Sequence, residues 1–213
     1  MKDKTKYVII GIFSIILISF ICLGVYNSVL KKEKPSEQTT KQVKTENMLL
    51  KDIKRNQNKI LGDKKAKNTI IVFSDAQCPD CLIFYNDMFK PKIKKLIKSG
   101  DVKYSEIDYQ VINHSSQLYA NMFKAIDKKS TSNNYWKFKD LAYNHQQIKD
   151  PIKLLKQTDF KNKKAIIKEY KLIKNNKIDN SIGEKYGVNA TPTIFVNGKV
   201  VDNYSDLEKQ LKK

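Results

Sequence analysis

The stretch SDAQCPDCLIFY, residues 74–85, places two cysteines three positions apart, directly after an apolar run. That run, NTIIVFSD at 68–75, is β-branched and of strand length, which predicts a buried strand. The residues after Cys78 follow helical spacing, and Pro79 suits the first turn of a helix, where its missing N–H costs nothing. The stretch therefore predicts a strand that leads into a helix, with the cysteine pair at the junction.

A second strand is predicted after this helix. Pro91 should kink the helix, and Gly100 should end it, because glycine adopts the left-handed conformation that closes helices. The next segment, DVKYSEIDY at 101–109, alternates as a strand does and places Tyr104 and Glu106 on one face. Strand, helix and strand form a βαβ unit, whose strands are parallel and whose crossover is right-handed.

The rest of the chain changes from helices back to strands. From Ser115 to about Tyr186 the apolar residues recur every three or four positions, which predicts a run of helices. The segment TPTIFVNGKVV, 191–201, then places Asn197–Gly198 between two apolar runs, a strong signal for a two-residue β-hairpin. The pattern indicates an α/β domain.

The position of the cysteine pair gives it a chemical use. A helix N-terminus carries about half a positive charge and unpaired N–H groups, and both stabilise a thiolate. Cys78 should therefore be an acidic, exposed nucleophile, and Cys81, one turn into the helix, a more covered resolving thiol. In thiol–disulfide exchange the first cysteine forms a mixed disulfide, and the second displaces the partner from it.

Half of a metal site is the alternative reading of the pair. Structural zinc usually takes four ligands, often from two cysteine pairs, and the chain has no second C-x-x-C. The third cysteine, Cys22, lies in an apolar segment, and His114 and His145 belong to no ligand-spaced motif. The pattern favours redox chemistry, so we expect no metal and no cofactor other than the Cys78–Cys81 pair.

The strand–CPDC–helix unit, the helices after it and GVNATPTIFVNGK, 187–199, resemble the thioredoxin superfamily. More narrowly, they are similar to the DsbA-like thiol:disulfide oxidoreductases, including membrane-anchored Gram-positive members. The resemblance implies a thioredoxin-like fold over 59–213, with an all-helical insertion at about 112–181. It also implies that the Thr191–Pro192 bond is cis and faces the cysteines.

The resemblance further implies a groove for protein substrates near Gln77, Pro79 and Thr191. The cis proline would keep the Thr191 backbone free to pair with a substrate segment. A quinone-linked membrane partner would reoxidise the cysteines, and the protein would act as a monomer. The same fold can also run as a reductase or isomerase, and a secretion accessory or binding module with a structural cysteine pair is the alternative from another class.

The sequence departs from the family pattern at two positions. Many members carry a buried acid six residues before the first cysteine, which is thought to move the proton of the resolving thiol; this chain has Val72 there. Asp75 or Asp80 could take that role, or the step could rely on water. Strong oxidants of the family often have a histidine between the cysteines, whereas Asp80 places a negative charge beside the Cys78 thiolate, which predicts a more reducing pair.

The N-terminal segment predicts a membrane anchor. Residues 7–26, YVIIGIFSIILISFICLGVY, carry no charge and would span roughly 30 Å as a helix, the thickness of the hydrocarbon core. A cleavable signal peptide has a shorter apolar region, of about 7–15 residues, and an A-x-A-like end. We therefore expect a cytoplasmic tail at 1–6, a single-pass transmembrane helix at 7–29 and a polar linker at 30–58, in which 31–47 is a solvated tether and a short amphipathic turn or two follows at Met48, Leu49, Leu50 and Ile53. The catalytic domain is expected to be extracytoplasmic, although lysines on both flanks leave the orientation open.

The charge of the chain does not indicate a nucleic-acid-binding protein. The formal net charge is +19, but Arg55 is the only arginine, and the lysines form no basic stripe interleaved with aromatic residues. Base recognition and bidentate phosphate binding favour arginine. The composition fits a soluble surface, or attraction to an anionic cell surface. We expect secreted or surface proteins as substrates.

Overall fold

The fold is built on a five-stranded mixed sheet, seen in a computed structural model that describes residues 37–55, 59–174 and 178–211. Its strands are β1 (Ile60–Leu61), β2 (Asn68–Ser74), β3 (Val102–Asp108), β4 (Thr193–Val196) and β5 (Lys199–Val201). Their order in the sheet is β1-β3-β2-β4-β5. β2 is parallel to β3 and antiparallel to β4, and β5 pairs antiparallel with β4. The parallel pair around the cysteines and the C-terminal hairpin are therefore both confirmed.

Helices precede, connect and follow these strands. They are α1 (Glu37–Arg55), α2 (Pro79–Phe84), α3 (Lys94–Lys98), α4 (His114–Lys129), α5 (Ser132–Asn144), α6 (Pro151–Lys156), α7 (Lys163–Leu172) and α8 (Ile178–Lys185), with a 3-10 helix at Tyr204–Gln210. Helices α4 to α7 share an apolar core of their own, which includes Tyr119, Phe123, Phe138 and Leu154. Helices α4 to α8 lie between β3 and β4 in the chain, where the helical insertion was expected.

The helix that follows the cysteines continues past its proline. Pro91 lies in a π-helical segment, Tyr85–Ile93, which joins α2 to α3 without a break. A proline in an α-helix clashes with the carbonyl of residue i−4 and removes a hydrogen bond, and the wider π-helical turn relieves both problems. The sequence predicted a kink here but not this change of helix type.

The predicted polar linker at 30–58 contains a long helix, so the expectation of a solvated tether is wrong over 37–47, whereas the amphipathic turns expected at Met48 to Ile53 form the end of this helix. Leu49 and Ile53 of α1 are fully buried, in one cluster with Ile71 and Phe73 of β2. The helix also passes so close to the hairpin turn that a side chain at Gly198 would overlap the Gln42 carbonyl. Contact with the sheet thus stabilises a helix whose first turns face solvent.

The predicted transmembrane helix at 7–29 lies outside the described residues. Within the three described ranges, no helix combines the length and the apolar character needed to cross a bilayer.

Different clusters of side chains pack on the two faces of the sheet, and they show which face the cysteines contact. Ile70 and Val72 belong to the cluster that contains Cys78 and Cys81. The alternate residues, Ile71 and Phe73, point to the opposite face and contact the cluster around α1. Helix α2 therefore covers one face of the sheet, and the cysteines lie at the carboxyl end of β2.

Candidate active site

Cys78 is the N-cap residue of α2, as the sequence predicts. Its backbone is extended (φ −81°, ψ 124°), and Pro79 occupies the first helical position. The Cys78 N–H donates to the Asp75 carbonyl at 3.0 Å, and the Leu82 N–H donates to the Cys78 carbonyl at 3.2 Å. These bonds fix the turn between β2 and α2 and hold Cys78 over the unpaired N–H groups of the first helical turn.

The environment of Cys78 favours its thiolate. Its pKa is lowered from 9.0 to about 6, first because the Cys81 side chain hydrogen-bonds to it. The Thr191 hydroxyl and the backbone N–H groups of Cys81 and Asp80 lower the pKa further, whereas burial acts in the opposite direction. The thiolate of Cys78 is therefore the favoured form at pH 7. The acidity predicted from the helix N-terminus agrees with this environment.

Cys81 has the opposite character. Burial raises its pKa far above 9.0, and its hydrogen bond to Cys78 raises it further. The Cys81 sulfur accepts a hydrogen bond from the Asp75 N–H at 3.4 Å. Both cysteines are free thiols in this structure. Burial thus keeps the second thiol protonated, and the hydrogen bond between the two side chains makes the first thiol acidic.

Cys78 is not exposed, contrary to the sequence prediction. Only 3% of Cys78 and 1% of Cys81 is accessible to solvent, so the two residues hardly differ in accessible surface. The cover over Cys78 includes two segments distant in sequence. The Gln146 side-chain amide donates to the Cys78 carbonyl at 2.8 Å, and the Thr191 carbonyl accepts from the Cys78 thiol at 3.3 Å. The sequence predicted the helix N-terminus at Cys78 but not its contacts with Gln146 and Thr191.

The Thr191–Pro192 peptide bond is cis, and it brings Thr191 against Cys78. The Thr191 carbonyl accepts a hydrogen bond from the protonated Cys78 thiol and loses this donor when Cys78 ionises, so the pairing of the Thr191 backbone with a substrate segment stays a prediction. The Thr191 hydroxyl is buried and has no partner of ordinary hydrogen-bond geometry among the described residues. It is nevertheless close enough to lower the pKa of Cys78.

The other predicted groove residues differ in exposure. Pro79 and Asp80 are exposed at the start of α2. Gln77 is buried, and its side-chain carbonyl accepts a hydrogen bond from Lys149 at 2.7 Å. The structure thus brings Gln77, Pro79 and Thr191 around Cys78, but Gln77 faces a lysine of the helical region instead of solvent.

Asp75 connects the cysteine turn to the loop after β3. One of its carboxylate oxygens accepts from the Gln77 N–H at 2.8 Å. The other accepts from the N–H groups of Val111 and Ile112, at 3.0 and 3.2 Å. Val111 and Ile112 are 45% and 44% exposed. Because β2 and β3 are parallel, their carboxyl ends lie at one edge of the sheet, and these two apolar residues lie at that same edge.

A charged cluster that the sequence did not predict lies in the core. Lys139 donates to Glu106 and to Asp108, each at 2.7 Å, and all three side chains are almost fully buried. Glu106 also accepts hydrogen bonds from Tyr104 (2.6 Å), Tyr143 (2.9 Å) and Ser74 (3.1 Å). Charged side chains are costly to bury unless they are paired, and here the lysine pairs with the two carboxylates.

The pKa values of this cluster follow from burial and from the shared lysine. Burial acts to raise the pKa of Glu106, but the Lys139 charge and the hydrogen bonds outweigh it, so the pKa falls below 4.5. Burial raises the pKa of Asp108 to about 6 despite the same lysine. The pKa of Lys139 is raised because the charges of the two carboxylates outweigh its burial.

One signal in the sequence could have revealed this cluster. On α5 the buried positions are Tyr135, Phe138, Lys139, Ala142 and Tyr143, a helical stripe that includes a lysine. A charged residue inside such a stripe needs a buried partner. Glu106 and Asp108 alternate on β3 and could have been proposed as those partners. No group of three or more His, Cys, Asp or Glu residues in the described ranges could hold a metal ion.

Comparison with known proteins identifies the family. The Thioredoxin family model matches residues 54–213. Disulfide bond formation protein D of Bacillus subtilis is 31% identical over 173 residues, which cover 72% of this chain and 77% of that protein. The crystal structure of oxidised BdbD from Bacillus subtilis is similar to this structure, with a TM-score of 0.64 and 28% sequence identity. The match covers 76% of this chain and 95% of that chain. The thiol-disulfide exchange protein alpha-DsbA2 from Wolbachia pipientis shares the fold, with a TM-score of 0.61 at 20% identity and coverage of 83% and 97%. The chain therefore belongs to the thioredoxin family and is a thiol:disulfide oxidoreductase of the DsbA/BdbD type.

Proposed function

We propose that the protein exchanges disulfides with secreted or surface proteins outside the cytoplasm, with Cys78 as nucleophile and Cys81 as resolving thiol. The observation that carries this proposal is the contrast between the two thiols. The hydrogen bond from the Cys81 side chain is the main cause that lowers the pKa of Cys78 to about 6, whereas burial, together with the same hydrogen bond, raises the pKa of Cys81. An ionised first thiol and a protonated second thiol are what a two-step exchange requires.

The exchange runs through a mixed disulfide. In the oxidising direction a substrate thiolate attacks the Cys78 sulfur of the Cys78–Cys81 disulfide, and the bond to Cys81 breaks. A second substrate thiolate then displaces Cys78, so that the substrate gains a disulfide and both cysteines are reduced. The low pKa of Cys78 makes it a good leaving group in this second step. The cysteine pair is the redox centre, and no other cofactor enters.

The surface around Cys78 suits an extended protein segment as substrate. The Thr191 carbonyl next to the thiol loses its hydrogen-bond donor when Cys78 ionises, and a substrate N–H can replace it. Ile83 on α2 is 46% exposed, and Val111 and Ile112 are exposed at the neighbouring loop. Apolar side chains of an unfolded client would contact these residues, since unfolded clients expose apolar groups that a folded surface hides.

We further propose that residues 7–29 anchor the enzyme in the cell membrane as a single-pass helix, with the catalytic domain outside. Disulfides persist outside the reducing cytosol, so that side suits the chemistry. The enzyme would work as a monomer, and a quinone-linked membrane partner would reoxidise it. Addition of protease to intact cells should remove the catalytic domain, and membranes should retain the full 24.7 kDa chain before digestion. A soluble, shorter product or a protected domain would contradict this placement.

The roles of the two cysteines are tested by trapping. Cys81→Ala should accumulate mixed disulfides with client proteins, because the thiol that would release them is gone. Cys78→Ala should accumulate none and should not oxidise a reduced model protein. Both variants are made in a Cys22→Ala background so that the third thiol does not contribute. Activity that survives in Cys78→Ala would refute the assignment.

A further inference from the structure

Cys81 must lose a proton each time it closes the disulfide with Cys78. It is 1% exposed, so water has little access to its thiol, and burial raises its pKa far above the neutral range. A thiol in this state reacts slowly unless a nearby group accepts its proton as it attacks. The question is which group of this chain lies within reach.

The two aspartates nearest in sequence are poorly placed. Asp80 is exposed on the outer side of α2. The Asp75 carboxylate already accepts three backbone hydrogen bonds, from Gln77, Val111 and Ile112, which hold it toward the loop after β3. What Asp75 offers the Cys81 sulfur is its backbone N–H, a donor.

Glu106 lies on the correct face of the sheet. It is the direct partner of Val72 in the parallel β2–β3 pair, so its side chain emerges beside Val72 on the face that packs against Cys81. Two hydroxyls lie on that side. Tyr143, which shares a buried cluster with Cys81, donates to Glu106 at 2.9 Å. Ser74, which directly precedes the residue bonded to the Cys81 sulfur, donates to the same carboxylate oxygen at 3.1 Å.

The groups around Glu106 allow the cluster to take up a proton. Lys139 holds Glu106 and Asp108 together, so two carboxylates share one ammonium group. Tyr104 donates to the second oxygen of Glu106. Asp108 has a pKa of about 6, raised by burial, and can therefore carry a proton that enters the cluster near neutral pH. Burial raises the pKa of Tyr143, and the negative charges of Glu106 and Cys81 raise it further.

We propose that Glu106, reached through the Tyr143 and Ser74 hydroxyls, accepts the proton of Cys81, with Lys139 holding the carboxylate in position. In the resolving step the Cys81–Cys78 bond forms and the bond between Cys78 and the partner sulfur breaks. The Cys81 proton passes to a hydroxyl, which releases its own proton to the Glu106–Asp108 pair, and the partner leaves as a thiolate. In the reverse direction the same path returns a proton to Cys81. This inference rests on the proposed roles of the two cysteines.

The test separates the two steps in the full chain carrying Cys22→Ala. The reduced protein is mixed with an activated aromatic disulfide whose coloured leaving thiolate needs no proton. Attack by Cys78 releases the first thiolate, and attack by Cys81 on the mixed disulfide releases the second. In Glu106→Gln the first phase should stay within about twofold, whereas the second should slow by about 100-fold at neutral pH and rise in proportion to hydroxide. Glu106→Asp, which keeps a carboxylate, should recover part of the rate.

A matched control is available on the other face of the sheet. Asp52 of α1 is a buried carboxylate that accepts from Lys185 at 2.6 Å and from Tyr186 at 2.8 Å, a partner set similar to that of Glu106. Asp52→Asn removes the same kind of charge with no path to Cys81. It should leave the rate and pH profile of the second phase unchanged, and an equal slowing in both variants would overturn the proposal.

A second variant removes the relay and keeps every charge. Tyr143→Phe combined with Ser74→Ala deletes both hydroxyls and should slow the second phase at least tenfold, whether or not Glu106→Gln folds. A folded double variant with the wild-type second phase would refute the path. Cys78→Ala tests the proposed cysteine roles separately. If this variant still shows the fast first phase, those roles are wrong. If Glu106→Gln shows both phases at the wild-type rates, only the proton path is refuted.

Discussion

Replacement of Cys81 should change the acidity of Cys78, because the Cys81 side chain is the main cause of its low pKa. The informative pair is Cys81→Ala and Cys81→Ser. Alanine removes the hydrogen-bond donor, whereas serine keeps a donor of similar size at the same position. Both variants lack the second thiol, so Cys78 titrates without forming a disulfide.

The expected shift follows from the strength of one hydrogen bond. A bond to a charged group contributes about 1.5–3 kcal/mol, and one pKa unit corresponds to about 1.4 kcal/mol, so its loss should raise the pKa by roughly 1–2 units. Starting from about 6, Cys78 should ionise at roughly 7–8 in Cys81→Ala. The thiolate fraction at pH 7 then falls by about two- to tenfold. In Cys81→Ser the pKa should stay within about half a unit of 6.

The measurement is the ultraviolet absorbance of the thiolate as a function of pH, with Cys78→Ala as the blank and Cys22→Ala as the common background. The rate of reaction with a small uncharged disulfide should show the same midpoint. If the alanine and serine variants ionise together near 6, the Cys81 side chain does not stabilise the thiolate. The acidity would then come from the helix N-terminus and the Thr191 hydroxyl.

Three further changes test other contacts. Thr191→Val removes the buried hydroxyl beside the thiol and should raise the pKa of Cys78 by up to about one unit, measured in the same titration. Asp80→His should lower that pKa and move the reduction potential in the oxidising direction, by at most about 30 mV because Asp80 is exposed and screened; a shift toward reduction would contradict this. Leu49→Ala should lower the free energy of unfolding by about 2–5 kcal/mol in denaturant titrations. Val43→Ala, on an exposed side of the same helix, should have little effect, and equal effects would mean that α1 does not pack as described.

The predictable parts of the molecule depend on short stretches of sequence. The run at 68–75 predicted a strand whose observed bounds are Asn68–Ser74, because the short length and the β-branched residues of this apolar segment favour a buried strand over a helix. Asn197 and Gly198 both have positive φ, of 50° and 80°, as a two-residue hairpin turn requires. Local steric rules fix these features, so no distant residue is needed to predict them.

Only the apolar end of the N-terminal helix, Met48 to Ile53, could be predicted in this way, and its polar first half could not. Its first half is rich in Lys, Glu, Gln and Thr, a composition equally common in solvated tethers, although Lys, Glu and Gln are also good helix formers. What selects the helix is the burial of Leu49 and Ile53 against β2, a contact with residues about twenty positions further along. A short helix is marginal alone, and docking of its second half allows it to extend toward Glu37.

The buried cluster of Glu106, Asp108 and Lys139 shows why its function was also hidden. Each residue alone looks like an ordinary surface charge, and only the packing of α5 on β3 brings them together. Stability does not explain the arrangement, since well-packed apolar residues commonly replace a buried ion pair at no loss or with a gain of about 1–4 kcal/mol. In this cluster two carboxylates share the Lys139 ammonium group, and the Tyr143 and Ser74 hydroxyls that donate to Glu106 belong to the face of the sheet that packs against Cys81. A carboxylate pair can take up and return a proton in every cycle, and the proposed chemistry at Cys81 therefore accounts for the cluster better than folding does.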